Sequence, residues 1–301
     1  MKTQLTAASA SVLALLAVAA CHEKPDMCRG GIELVGRFLS VPGPDGAEAG
    51  REVIARRLER LRIPAVVVRE GMTIRVGLVK PDSDALALVK AQLALGGKLE
   101  MREVDSGAVL PELVKALPEG SGLELSESPL PEGGKTYAVK ARRPGDAAAA
   151  LNALQAKLPK ELELLPEEQD GPGGEQAGVI FHPVRAAAIT GKDVGDASVK
   201  MDQQMGRPYV ALTFTPQGAK TFEELTGRIV GRKLAIALDG RVLSAPVVMS
   251  AIRGGKAQIT LGGWSGPREQ RAQADAIAVA LTAGALPSTL VVEEERVVPA
   301  R

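Results

Sequence analysis

Residues 31–104 read GIELVGRFLSVPGPDGAEAGREVIARRLERLRIPAVVVREGMTIRVGLVKPDSDALALVKAQLALGGKLEMREV, and their punctuation decides the fold class. Gly31 to Val41 sets Ile32, Leu34 and Phe38 among polar neighbours, as a half-buried strand does, and stops at Pro42-Gly43-Pro44-Asp45-Gly46. Residues 47–62 place Val53, Ile54, Leu58 and Leu61 at helical spacing. Arg56, Arg57, Glu59 and Arg60 fall largely on the outer side of that helix and read as a solvated face. Pro64 ends it. Ala65 to Arg69 and Thr73 to Val79 are rich in β-branched residues and flank the turn Glu70-Gly71, which makes them a hairpin. Asp82-Ser83-Asp84 supplies N-cap side chains for a helix that sets Leu86, Val89 and Leu93 three and four apart and closes at Gly96-Gly97. Lys98 to Val104 follows as a strand. The order β-α-β-β-α-β is that of a ferredoxin-like split unit.

Toward the N-terminus, residues 1–21 (MKTQLTAASASVLALLAVAAC) carry one basic residue, Lys2, then an uncharged apolar stretch and small residues running into Cys21. This is the pattern of a secretory signal. Val18-Ala19-Ala20-Cys21 also resembles the lipobox of bacterial lipoproteins, which implies a leader of residues 1–20, lipidation of Cys21 and a polar tether over 21–30. The alternative is ordinary cleavage that leaves Cys21 as a free or disulfide-bonded thiol. With Cys21 lipidated, Cys28 is an incidental thiol in the tether. No later stretch reaches about 18 uncharged apolar residues. The nearest, Ala276 to Val292, is broken by Gly284 and Pro287. The expectation is a chain held to the membrane by lipid and not by a spanning helix.

The composition narrows the function. Thirty-seven Lys and Arg against 36 Asp and Glu give a net charge of +1, so no broad field draws the chain to nucleic acid or anionic lipid. One Trp, two Tyr and four Phe leave few rings for stacking bases or sugars. Two His and two Cys, with His22 beside Cys21, do not supply a zinc site, and no metal or other cofactor is expected.

Residues 107–186 read as a connecting region. It contains Pro111-Glu112, Pro118-Glu119, Pro131-Glu132 and Pro166-Glu167, one helix at Asp146 to Leu158, two or three strands and the flexible run Asp170-Gly171-Pro172-Gly173-Gly174. His182 lies there without an evident acid or nucleophile in the pattern, so a structural role is expected. Further on, Pro208 to Phe214 alternates Val210, Leu212 and Phe214 inward, and Pro216 opens a helix with Ala219, Phe222 and Leu225 on one face. Leu234 to Leu238 and Arg241 to Val248 flank Asp239-Gly240, a strong signal for a two-residue hairpin. Lys256 to Leu261 is a strand, Pro267 to Ala283 a helix and Leu290-Val291-Val292 a last strand. Glu293-Glu294-Glu295 alternates faces on that strand and reads as surface charge.

Residues 234–247, LAIALDGRVLSAPV, resemble the "LAIVLDGKVISAPVI" block of SecD, the accessory subunit of the bacterial Sec translocase. Other blocks fall in SecD order. Ile189-Thr190-Gly191-Lys192-Asp193-Val194 with Asp196-Ala197 is similar to "LTGDDITDA", and Gly218-Ala219-Lys220-Thr221-Phe222 to "GAKKF". Ala283-Gly284-Ala285-Leu286-Pro287 with Val292-Glu293-Glu294 and Arg296-Val297 is similar to the "AGALPAP…VEERTV" ending. Arg51 to Leu61 and Leu99-Glu100-Met101-Arg102 agree more loosely with "IIRNRVNALGV" and "LLEFRLV".

The resemblance implies the first periplasmic domain of that family, an α+β fold in which a ferredoxin-like base carries an inserted α+β head thought to contact translocating polypeptide. The implied boundaries are 31–106 and 266–298 for the base, 107–186 for the connecting region and 187–263 for the head. In SecD the ending leads into transmembrane helices that couple proton flow to motion. Here the chain stops at Arg301, so that motor is not carried over.

The leading expectation is a lipid-anchored, non-enzymatic, periplasm-facing module on the outer or inner membrane that binds exported or unfolded polypeptide or docks on Sec translocase components. Val242, Leu243, Val247, Val248 and Met249 are the candidate polypeptide-binding residues. An envelope structural or adaptor lipoprotein unrelated to export is the alternative. An enzyme ranks last, because no nucleophile elbow, phosphate loop or ligand cluster stands out.

Overall fold

The structure, a computed structural model, describes residues 30–40, 43–131, 133–143, 145, 147–170, 176–261 and 266–299. The leader, Cys21, His22 and Cys28 lie outside the described residues. The chain forms two compact units, one of Met1–Gly96 with Leu286–Arg301 and one of Gly97–Ala285.

The first unit comprises β1 (Gly31–Phe38), α1 (Gly43–Arg60), β2 (Ala65–Glu70), β3 (Thr73–Leu78), α2 (Ser83–Ala94) and, after a long excursion, β14 (Leu290–Val298). Its antiparallel sheet has the order β14-β1-β3-β2. With β14 as the fourth strand this is the ferredoxin-like arrangement. Leu34, Phe38, Ile74, Val76 and Leu78 from the sheet meet Ile54 and Leu58 of α1, Val89 and Leu93 of α2, and Leu290 of β14 in one buried cluster. The Asp82 carboxylate caps α2 by accepting from the Ala85 N–H at 2.7 Å. Glu295 of β14 pairs with Lys90 at 2.6 Å, and Glu294 pairs with Arg296.

Two sequence expectations are corrected in this unit. Strand 98–104 is absent from this sheet, because the place beside β1 is taken by β14. Arg57 is not on a solvated face: it is fully buried and donates from Nη1 to the Gln92 and Leu95 carbonyls and from Nη2 to the Gly96 carbonyl at 2.8 Å. α2 has no basic residue in its own last turn, so the guanidinium satisfies carbonyls at the helix end that would otherwise be orphaned.

The second unit runs through β4 (Leu99–Val104), α3 (Leu110–Lys115), β5 (Leu123–Pro129), β6 (Lys135–Ala141), α4 (Ala148–Lys157), β7 (Glu163–Asp170), β8 (Gln176–Thr190), β9 (Val194–Met201), β10 (Pro208–Phe214), α5 (Pro216–Arg228), β11 (Leu234–Leu238), β12 (Arg241–Ser244), β13 (Lys256–Thr260) and α6 (Pro267–Ala283). A seven-stranded sheet has the path β12-β11-β4-β8-β6-β5, with β7 also paired to β8, and a three-stranded sheet has the order β13-β10-β9. β4 pairs antiparallel with both β11 and β8. Five of its six residues are buried, which suits a strand with neighbours on both edges. α6 packs on β9 and β10, so only β14 returns to the first unit and not the whole of 266–298.

The supposed connecting region 107–186 is a folded part of this second unit, with α3, α4, β5, β6, β7 and most of β8. Its prolines punctuate those elements. Pro111 occupies the first turn of α3, where the missing N–H is not needed. Pro166 sits in β7, which among the described strands pairs with β8 alone, an edge position of the kind where proline is tolerated.

At the β11–β12 hairpin Leu238 faces Arg241 across a two-residue turn in which Asp239 has φ 52° and Gly240 φ 78°. Both values are those of a type I′ turn. A Cβ at Gly240 would meet nothing within 4 Å, so a side chain there suffers only from the backbone angle. Gly240→Val is expected to lower stability by about 1–3 kcal/mol, and Gly240→Asn, which tolerates this conformation, by much less. Thermal unfolding of the two variants side by side checks this, and equal stabilities would show that positive φ is not what the turn requires of residue 240.

Candidate functional site

All five residues of β11 are buried, and the strand holds the hairpin against β4. Beyond β12 the chain remains zipped to the segment before β11. The Gly231 N–H donates to the Val248 carbonyl at 2.9 Å, the Val248 N–H to the Arg232 carbonyl at 2.8 Å and the Leu234 N–H to the Pro246 carbonyl at 2.9 Å.

This geometry divides the five candidate polypeptide-binding residues. Val242 is 4% exposed and packs in a cluster with Val104, Leu165, Val184 and Ala237, and Val248 is 5% exposed. These two are core side chains and are corrected as binding candidates, because strand alternation turns Val242 inward. Leu243 and Val247 are half-buried, and Met249 is 71% exposed. Sequence reasoning missed Ile252, 37% exposed in the following loop. That loop is tied to α5: the Ile252 N–H donates to Thr226 Oγ1 at 2.9 Å, and Arg253 pairs with Glu223 at 3.1 Å. Met249 and Ile252 are thus displayed from an anchored backbone.

A second feature arises where β5, β6, β7 and β8 lie side by side. One face, with Leu123, Val139, Phe181 and Leu164, packs on Leu110 of α3 and Leu154 of α4. Alternation leaves the other face polar. Register sets Ser126 opposite Ala138, Ser128 opposite Thr136 and Glu167 opposite Ile180. With Lys233 and Ala245 closing it, this face lines a cleft of about 230 Å³. His182 lies there, 5% exposed, with Nε2 2.6 Å from Glu167 Oε2. The acid partner that the local pattern around His182 did not reveal is therefore supplied by the β7–β8 register.

Comparison with known proteins agrees with this architecture. Residues 163–288 match the family model described as SecDF, P1 head subdomain. The protein translocase subunit SecDF of Thermus thermophilus is 32% identical over 277 residues, covering 90% of this chain and 30% of that protein. The protein translocase subunit SecD of Acidaminococcus fermentans is 42% identical over 134 residues, covering 44% of this chain and 30% of that protein. The chain spans about 30% of the length of these two relatives. A crystal structure of SecDF in a super-membrane-facing form superposes with a TM-score of 0.57 at 28% identity, covering 96% of this chain and 34% of that one. A structure of SecDF, described as a membrane component that enhances protein export, gives a TM-score of 0.54 at 28% identity and covers 87% of this chain and 98% of that one. The head-subdomain match begins at β7 and extends past α6, wider than the 187–263 read from the sequence.

Proposed function

We propose that the chain is a non-enzymatic, lipid-anchored SecD-like module of the cell envelope that faces the periplasm and engages exported or unfolded polypeptide, or components of the Sec translocase. The observation that supports it most is the similarity covering 98% of a SecDF structure described as enhancing protein export, together with the head-subdomain match over residues 163–288. No helix among the described residues is long and apolar enough to cross a membrane. The anchor in this reading is lipid on Cys21, and the contact surface is Leu243, Val247, Met249 and Ile252. Their aliphatic and thioether side chains suit partners of varied sequence, since Met adapts to irregular apolar surfaces.

Photoreactive residues at Met249 and Ile252 in living cells should crosslink many unrelated exported proteins, while the same residue at buried Val242 should crosslink few or none. One dominant stoichiometric product would instead assign the chain to an envelope adaptor, and absence of products from both exposed sites would overturn the reading. The anchor is tested separately. Cys21→Ser should abolish incorporation of labelled fatty acid and move the protein from the membrane to the soluble fraction or leave it uncleaved. Equal labelling of wild type and variant would remove lipid on Cys21 from the reading.

A further inference from the structure

We propose that the outer edge of β5 receives an extended polypeptide segment as an added strand. β5 ends the path of the seven-stranded sheet, so its main-chain groups that point away from β6 have no strand to pair with among the described residues. Such N–H and C=O groups are complementary to the backbone of another strand, whatever side chains it carries.

The other edges are blunted or covered. β14, β9 and β12 each carry a register break, a feature that turns an edge away from further pairing. β2 packs against α1, β7 lies against β12, and β13 has only five residues. β5 pairs with β6 over seven residues in unbroken register, from Leu123↔Ala141 to Pro129↔Lys135, and its proline is the last of the seven. Its main neighbours are β6 and α3.

Charge does not guard this edge. Both acids of β5 are matched within the hairpin, Glu127 by Lys135 at 2.6 Å and Glu124 by Arg142 at 3.5 Å. Leu125 is 38% exposed and lies on the same face as Leu123, opposite Val139, beside the cluster that includes Leu110. A neighbouring strand would cover it, so the segment that fits alternates apolar and polar side chains. A second copy of this chain fits less well. Antiparallel self-pairing about a two-fold axis at Glu124 or Glu127 sets that carboxylate against itself, and at Leu125 or Ser126 it sets a leucine against Glu127. The occupant is therefore a different, extended chain. This inference rests on the polypeptide-binding reading above and adds a main-chain contact to the side-chain contact at Met249 and Ile252.

The test is amide hydrogen exchange of the isotope-labelled full chain, titrated with two peptides. One is a capped segment of alternating valine and threonine flanked by lysines, and the other is its fully N-methylated analogue, which has the same side chains and no main-chain donor. The first should slow exchange at alternate amides of β5 in a saturable manner, with Kd on the order of millimolar. The analogue should bind at least about tenfold more weakly. Successive amides of a strand point to opposite edges, so of Leu125→Pro and Ser126→Pro one removes an outward donor and spares the ladder to β6. That variant should keep the native spectrum and lose peptide binding. The inference is overturned if the analogue binds equally, if the β5 amides do not respond, or if raising the protein concentration alone protects them, which would make the edge a self-interface. Unresponsive β5 amides alongside crosslinks from Met249 and Ile252 would remove this edge and leave the polypeptide reading standing, whereas failure of both would remove the reading itself.

Discussion

Replacing Arg57 by Ala is expected to destabilise the first unit by about 3–5 kcal/mol, among the largest effects available to a single substitution in this chain. Three consequences coincide. The guanidinium disappears from a fully buried position, the carbonyls of Gln92 and Leu95 lose the donor it supplies while that of Gly96 keeps only the Leu286 N–H, and the space between α1 and the end of α2 is left unfilled. Arg57→Lys should recover only part of the loss, because one ammonium cannot reproduce a planar fork that reaches three carbonyls. Arg56→Ala, one residue away with its side chain 51% exposed, should change stability by less than about 0.5 kcal/mol. Urea denaturation of the full chain followed by circular dichroism decides this. A cost at Arg57 equal to that at Arg56 would show that the buried guanidinium does not hold the helix end.

Arg57 also shows where sequence reading stops. Its spacing was informative, since it falls four residues after Val53 and three after Ile54, on the inward stripe of α1. Residue type overrode the spacing, because arginine is rarely buried without partners, and the carbonyls that make it tolerable lie 35 to 39 positions away. Local signals were legible: the Asp82 cap, the Asp239-Gly240 turn and the helix opened by Pro216 all stand where the sequence put them, while the Thr215 cap of that helix was not read. What it could not supply was pairing. Residues 98–104 alternate Leu99, Met101 and Glu103 with charged neighbours, the pattern of a strand with one wet face, whereas five of the six residues of β4 are buried, and the pattern names neither of its neighbours. Val242 and Val248 look like exposable aliphatics until the hairpin register turns them inward. Glu167 reaches His182 only because β7 and β8 are in one particular register.

The second large effect separates two views of where the head begins. A fragment of residues 187–263 is expected to remain unfolded, while residues 97–285 alone should fold. The short fragment keeps β11, whose five residues are buried, but removes β4, the strand that pairs with it through Leu234↔Glu103 to Leu238↔Leu99. It also cuts β8 near its end and discards β7, which supplies Leu165 to the cluster around Val242 and Ala237. At about 25 cal/mol per Å² of apolar surface, exposing that many core side chains removes more than the few kcal/mol by which a domain of this size is stable. The longer fragment keeps every pairing of both sheets. The complementary excision is equally specific: the Leu286 N–H donates to the Gly96 carbonyl at 2.7 Å, so the chain leaves and re-enters the first unit at adjacent points. Joining Gly96 to Leu286 through a short glycine linker should therefore preserve the β14-β1-β3-β2 sheet as an independently folded four-stranded unit. Circular dichroism and amide-proton dispersion of the three proteins test this. A cooperatively folded 187–263 would restore the narrower head, and an unfolded 97–285 would mean that the second unit needs more than its own pairings.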